Sequence, residues 1–253
     1  GGKMIRAFER MAIIGAGLIG GSIARAAKEK GAASAVSIFD GNADVRKRAS
    51  EIGLGEVRDS AEDAVRDADA VFLCVPVGAM GAAGRASVGA MKAGAVLTDV
   101  GSVKGSVARE LRAATQPGVH IIPGHPIAGT EKSGPDAGFA SLFDGRWCIL
   151  TPEASGDTAY NAAAHRLAAF WDKHGSKVER MDAQRHDLVL AATSHLPHLI
   201  AYNIVATAHD MENVTDGEVV KFSAAGFRDF TRIAASAPLT WRHAFLSNRE
   251  AVV

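Results

Sequence analysis

The sequence predicts an α/β protein in two parts, a doubly wound, largely parallel sheet over residues 1–182 and an all-helical segment over residues 183–253. Three observations predict it. Short β-branched runs alternate with alanine-rich helical stretches up to about residue 182, the pattern of a parallel sheet with helices on both faces. A glycine-rich turn joins the first run to the first helical stretch. Beyond Asp182 the strand pattern stops.

The strand candidates, in order, are residues 11–15, 35–40, 70–75, 95–100, 119–123, 147–151 and 177–181, apolar enough to be covered on both sides. Helical spacing fills Ile19–Lys30, Ala43–Ile52, Val77–Met91, Val103–Thr115 and Thr158–His174. Past Asp182, residues 187–208 and 230–250 read as helices. Pro197 removes the hydrogen bond to the carbonyl of Thr193 and should kink the first of them. A segment of roughly 70 residues with this many apolar faces is expected to pack against a second subunit. The chain stops at NREAVV inside a helical pattern, with no C-cap glycine or proline stop, so the helical part reads as cut short.

Composition closes several functional classes. The 253 residues are 47% apolar and 22% charged, a globular profile. Basic and acidic residues balance at 28 each, so no overall field favours nucleic acid or an anionic membrane. An anionic substrate must be held by local cations. No apolar stretch reaches membrane-spanning length. Cys74 and Cys148 both sit in apolar runs and read as buried free thiols, which fits the cytoplasm.

IIGAGLIGGS carries Gly15, Gly17 and Gly20 in G-x-G-x-x-G spacing, and Asp40 closes the next strand twenty residues after Gly20. Gly15 permits the turn, Gly17 lets backbone approach a pyrophosphate, and Gly20 lets helix and strand pack. Leu18 and Ile19 open the helix whose free N–H groups would face the phosphates. That is the Rossmann dinucleotide signature. Asp40 would accept hydrogen bonds from the adenosine ribose and repel a 2′-phosphate, which favours NAD over NADP. Arg46 and Lys47 lie inside the following helix and are expected to face solvent.

Three strand exits carry further candidates. Pro76 could line the nicotinamide. Asp99, Ser102 and Lys104 surround another exit, where Ser102 serves equally well as a helix cap or a catalytic group. His125, in a G-H-P loop with little core to fill, is the candidate base; Thr130, Glu131 and Lys132 follow it. In the helical part His195 and His198 share a face and are both candidate substrate-binding groups. They lack a third ligand, so no metal is expected. Arg228 and Arg232 are candidate carboxylate clamps, with an ion pair to Asp229 as the structural alternative.

GAGLIGGS, DVGSVKG, GHPIAGTEKSG, SHLPH and GFRDFTRIAASAPLTW, in that order, resemble the prephenate and arogenate dehydrogenases along nearly the whole chain. Members oxidise a cyclohexadienol and expel its ring carboxylate as carbon dioxide. Prephenate gives 4-hydroxyphenylpyruvate and arogenate gives tyrosine. The resemblance implies a Rossmann domain and a helical domain that forms a homodimer. By position it implies His125 as the base and Ser102 as the group bonding the ring hydroxyl and orienting His125. It also implies Arg232 on the ring carboxylate, His198 nearby, and Thr130 and Glu131 toward the substrate side chain. Two alternatives stand beside it. A dehydrogenase of other small acids would usually carry a lysine in the central helix, and none lies between Asp187 and Val220. A non-catalytic NAD sensor would not need both His125 and Arg232.

Overall fold

A computed structural model describes residues 6–215 and 218–253. The chain divides into two compact units after His186. This lies within four residues of the Asp182 read from sequence, inside the helix that Asp182 caps, its carboxylate accepting from the N–H of Arg185 at 2.8 Å.

The first unit is built on six parallel strands in the order β3-β2-β1-β4-β5-β6. They are β1 Arg10–Ile14, β2 Ala35–Phe39, β3 Glu56–Val57, β4 Ala70–Leu73, β5 Val96–Asp99 and β6 His120–Ile121. Every residue of β4 and β5 is buried, as the continuous apolar runs required. The register aligns the carboxyl ends, pairing Ile14 with Phe39 and with Leu73, and Leu73 with Asp99. Whatever follows these four strands therefore leaves the sheet along one edge. Helices α1 Leu18–Glu29, α2 Ala43–Glu51, α3 Ala61–Val65, α4 Met80–Val88, α5 Gly105–Ala114 and α6 Thr158–Lys173 complete this unit up to the helix at the division. The short β3 and α3 escape a sequence reading. β3 is a two-residue polar edge, and α3 is five residues long, capped by Ser60.

Two expected strands leave the parallel sheet. Residues 147–151 and 177–181 supply β8 Trp147–Leu150 and β9 Lys177–Arg180, which join β7 Gly124–Pro126 in a separate sheet ordered β7-β8-β9. β7 runs antiparallel to β8, pairing His125 with Ile149, so His125 stands on a strand and not in a loop. The expected strand over residues 119–123 is correspondingly short. Its last residues turn the chain from one sheet to the other. The expected helix over residues 77–91 begins as a 3-10 turn at Val77–Ala79.

Aromatic packing joins α6 to the sheet. Phe72 lies 4.8 Å from Phe170 and 6.2 Å from Trp171 between ring centroids, with Phe8 and Phe143 around them. Against this cluster His174 is fully buried, its Nδ1–H donating to the carbonyl of Phe170 at 2.9 Å. Burial lowers its pKa from 6.5 to about 4. The unfolded chain therefore takes up a proton that the folded one refuses, so stability present above pH ~6.5 is lost as pH falls toward ~4. The loss attributable to this ring reaches about 3 kcal/mol. Urea unfolding between neutral pH and pH ~4.5 should show a weaker acid dependence in His174→Gln than in the parent. Identical pH slopes would assign the acid sensitivity elsewhere.

The second unit is helical. A run from α7 Ala183–Leu190 passes through a π-turn at Ala191–His195 into α8 Leu196–Thr215. The π-turn sits where Pro197 was expected to kink the helix, a place where the ladder lacks one donor. The run Ala183–Glu212 has the length and mean hydropathy, 1.3, of a membrane span by composition alone. The expectation that no apolar stretch reaches that length does not hold here, because Ser194, His195, Pro197 and His198 interrupt a run that is apolar on average. Beyond it lie α9 Glu218–Lys221, α10 Ala225–Ala234, α11 Pro238–Ser247 and α12 Arg249–Val252. Pro238 opens α11 and so divides what read as one helix over residues 230–250.

Candidate functional site

The glycine-rich turn leaves β1 and enters α1. Gly15 has φ +102°, and a Cβ there would stand 2.4 Å from the carbonyl oxygen of Cys74. A Cβ at Gly20 would stand 1.9 Å from the carbonyl oxygen of Gly15. Both glycines are therefore required by packing. At Gly17 a Cβ would meet nothing within 4 Å, which leaves open space over the turn. Gly17 gives α1 no side-chain cap, and the first turn holds no acid, so the N–H groups at Leu18 and Ile19 face outward with their partial positive charge. An open glycine beside an uncapped helix start fits the pyrophosphate of a dinucleotide.

Asp40 follows β2 on the same edge. One carboxylate oxygen accepts from the N–H of Ala16 and the other from that of Asn42, each at 2.9 Å. It thus ties the glycine-rich turn to the end of β2 while keeping lone pairs for a ribose. Arg46, expected in solvent, is half-buried instead. Its guanidinium donates to the Asp40 carbonyl at 2.7 Å and lies 5.5 Å over the Phe39 ring. Lys47 is exposed, as expected. Pro76, past the end of β4, is exposed and accepts the first bond of the 3-10 turn.

Beyond β5 the chain builds a buried ion pair that sequence reading located without giving it a role. Lys104 and Asp99 are both fully buried and bonded to each other. The Asp99 carboxylate also accepts from the N–H groups of Gly101 and Gly124, while Lys104 donates to the Gly124 carbonyl. Gly124, the residue before His125, is therefore held at both its N–H and its carbonyl. A Cβ on it would press within 3.1–3.4 Å of Leu150, the Asp99 carbonyl and Thr98. Further hydrogen bonds of this kind offset the desolvation of a buried charge pair, and removing either partner would leave the other charge buried and uncompensated. Ser102, half-buried in the same turn, does not cap α5: the helix starts at Gly105 with Lys104 in the cap position and no side-chain cap.

His125 Nδ1 lies 2.9 Å from Nε2 of His186, the rings meeting edge to face at 5.1 Å. His186 is fully buried in the first turns of α7. When His125 keeps its Nδ1 proton on His186, its Nε2 is left as the lone-pair nitrogen, the arrangement a base requires. Sequence reading missed His186. Its partner lies 61 residues away in sequence, and only the Asp182 cap marks the helix start. Thr130 and Glu131 are exposed, and Thr130 closes a small turn by accepting from the N–H of Lys132 at 3.1 Å. Burial pushes the pKa of both thiols well above the usual range, which disfavours the thiolate a nucleophile needs.

In the helical unit His198 stacks on Trp241 with centroids 3.5 Å apart. Its Nδ1–H donates to the carbonyl of Ser194 at 2.9 Å, and burial lowers its pKa. The ring is thus held neutral with Nε2 as an acceptor. His195 is fully buried, its Nδ1 bonded to the Asn248 amide at 3.0 Å, and Asn248 also donates to the carbonyl of Asp187 at 2.8 Å. Trp241 and Asn248 were not singled out from sequence, since an aromatic or amide on a helix has a packing explanation by default. Arg232 extends from α10 with its side chain 74% exposed, and its contact with Asp229 is 3.6 Å long. An exposed contact of that length does not lock a guanidinium. Arg228, one turn earlier, is also exposed.

With this geometry in view, the similarity to known proteins is specific. Residues 23–180 match the family described as prephenate dehydrogenase, nucleotide-binding domain, and residues 182–253 match prephenate dehydrogenase, dimerization domain. Cyclohexadienyl dehydrogenase of Zymomonas mobilis is 45% identical over 247 residues, covering 97% of this chain and 83% of that one. Prephenate dehydrogenase of Bacillus subtilis is 32% identical over 243 residues, covering 95% and 64%. The crystal structure of A. aeolicus prephenate dehydrogenase with hydroxyphenyl propionate and NAD+ superposes with a TM-score of 0.89 at 33% identity, covering 99% of this chain and 86% of that one. The chain belongs to the prephenate dehydrogenase family.

Proposed function

We propose that this chain oxidatively decarboxylates prephenate, arogenate or both in tyrosine biosynthesis, with NAD as hydride acceptor. The observation that carries the reading is His125, set on β7 by the Asp99–Lys104 pair and by His186, in the same unit as an open glycine-rich turn closed by Asp40. Bound NAD would supply an electrophilic ring carbon, and its pyrophosphate would rest on Gly17, Leu18 and Ile19, with Pro76 beside the nicotinamide. His125 takes the proton of the ring hydroxyl through Nε2, and Ser102 bonds that hydroxyl. Arg232 holds the ring carboxylate, His198 offers its acceptor nitrogen, and Thr130 and Glu131 meet the side chain. Loss of carbon dioxide makes the ring aromatic, so these residues need only position the substrate and move one proton. His195, with its ring buried against Asn248, serves to set the start of α8 beneath His198.

The helical unit leaves large apolar side chains uncovered, among them Phe222 at 71%, Leu239 at 62% and Leu246 at 61%. Patches of this kind are covered in oligomers. Together with the match to a dimerization domain this supports a homodimer, and supports the apolar run over Ala183–Glu212 serving that interface and not a membrane. Two free thiols, Cys148 buried and Cys74 only partly so where burial was expected of both, suit a reducing cytoplasm.

The deciding assay is NADH or NADPH formation with each of prephenate and arogenate, beside analysis of the product. NADH with 4-hydroxyphenylpyruvate or tyrosine is expected. Binding of NAD without turnover of either substrate would make the chain a sensor.

A further inference from the structure

We propose that Arg46 is a latent specificity residue of the cofactor site: its guanidinium is placed to receive a 2′-phosphate and is kept from doing so by Asp40. The inference rests on the reading that Asp40 meets the adenosine ribose. Arg46 folds back from the first turn of α2 onto the end of β2, where one N–H group donates to the Asp40 carbonyl and the Phe39 ring supports its plane. Its remaining N–H groups have no partner among the described residues, so the guanidinium keeps donors for a phosphate. The N-terminus of α2 does not compete as the anion holder, because Asn42 already accepts from the N–H groups of Asp44 and Val45. The cation at the end of β2 is the arginine. With the Asp40 carboxylate in place, a 2′-phosphate meets a negative charge before it can use the arginine. Without it, the phosphate meets a guanidinium already held in position.

The test measures kcat/KM for NAD and NADP in the parent, in Asp40→Asn, and in Asp40→Asn combined with Arg46→Gln or Arg46→Lys. Asparagine keeps one acceptor oxygen, enough for the Ala16 N–H that ties the turn, and gives up the bond from the Asn42 N–H. Asp40→Asn should weaken NAD and improve NADP, and adding Arg46→Gln should remove roughly 10- to 100-fold of the NADP gain with NAD little changed. Arg46→Lys should retain part of the gain, since the charge survives without the planar fork. An NADP gain from Asp40→Asn that is equal with and without the added Arg46→Gln overturns the proposal. An unchanged NAD value in Asp40→Asn would instead overturn the ribose reading of Asp40 beneath it.

Discussion

Replacing His125 by asparagine is expected to lower kcat by roughly 10²–10⁴ while NAD binds as before. Asparagine preserves the size of the group and some of its hydrogen bonding but cannot take the hydroxyl proton. NAD affinity should be spared because the cofactor cradle is built from other segments, the turn at Gly15–Gly20 and the carboxylate of Asp40. His186→Asn is the informative companion. His186 meets Nδ1 of His125, so its loss should reduce kcat less than loss of His125, with KM for substrate little altered. Steady-state kinetics beside a fluorescence titration of NAD decide the matter. A His125 variant within about threefold of the parent would move the base elsewhere, with His198 next in line because its Nε2 is also an acceptor.

Arg232→Gln is expected to raise KM for prephenate by the equivalent of about 2–5 kcal/mol, the cost of leaving a carboxylate without its charged partner. The ring carboxylate must stay ionised to depart as carbon dioxide, and in a chain of zero net charge only a local cation can hold it. Arg232 is available for this: its side chain is 74% exposed and its contact with Asp229 is long. Arg232→Lys should recover only part of the loss, because an ammonium lacks two parallel donors. The NAD dissociation constant should barely move. An equal loss of NAD and prephenate affinity would make Arg232 a residue of the fold. An unchanged prephenate KM would pass the role to Arg228.

Much of the proposed site could be proposed from the sequence because its residues are local in sequence. Gly15, Gly17 and Gly20 announce themselves by spacing, and Asp40 by its place at the end of the next strand. His125 stood out because nothing about packing explained a histidine between Gly124 and Pro126. What escaped were groups defined by partners far along the chain. His186 is one ordinary helical histidine until β7 sets His125 beside it. Lys104 reads in sequence as one polar residue among several at a strand exit, and it is fully buried on Asp99. Arg46 had the spacing of a solvent-facing helical residue, yet its long side chain turned back to the open carbonyl at the end of β2.

By itself the sequence determined the alternation of strand and helix, the parallel sheet, the dinucleotide turn, the change to helix past Asp182 and membership in one dehydrogenase family. All of these follow from hydrophobic period and short motifs, which depend on neighbours within a few residues. Tertiary structure alone decided that β7, β8 and β9 form a second sheet, that Ser102 leaves the helix cap, and that His125 acquires His186 as its partner. The physical reason is the same in each case. Pairing a strand edge, burying a charge and orienting an imidazole are settled by whichever distant group completes the hydrogen bonds, and that group is chosen by the packing of the whole unit.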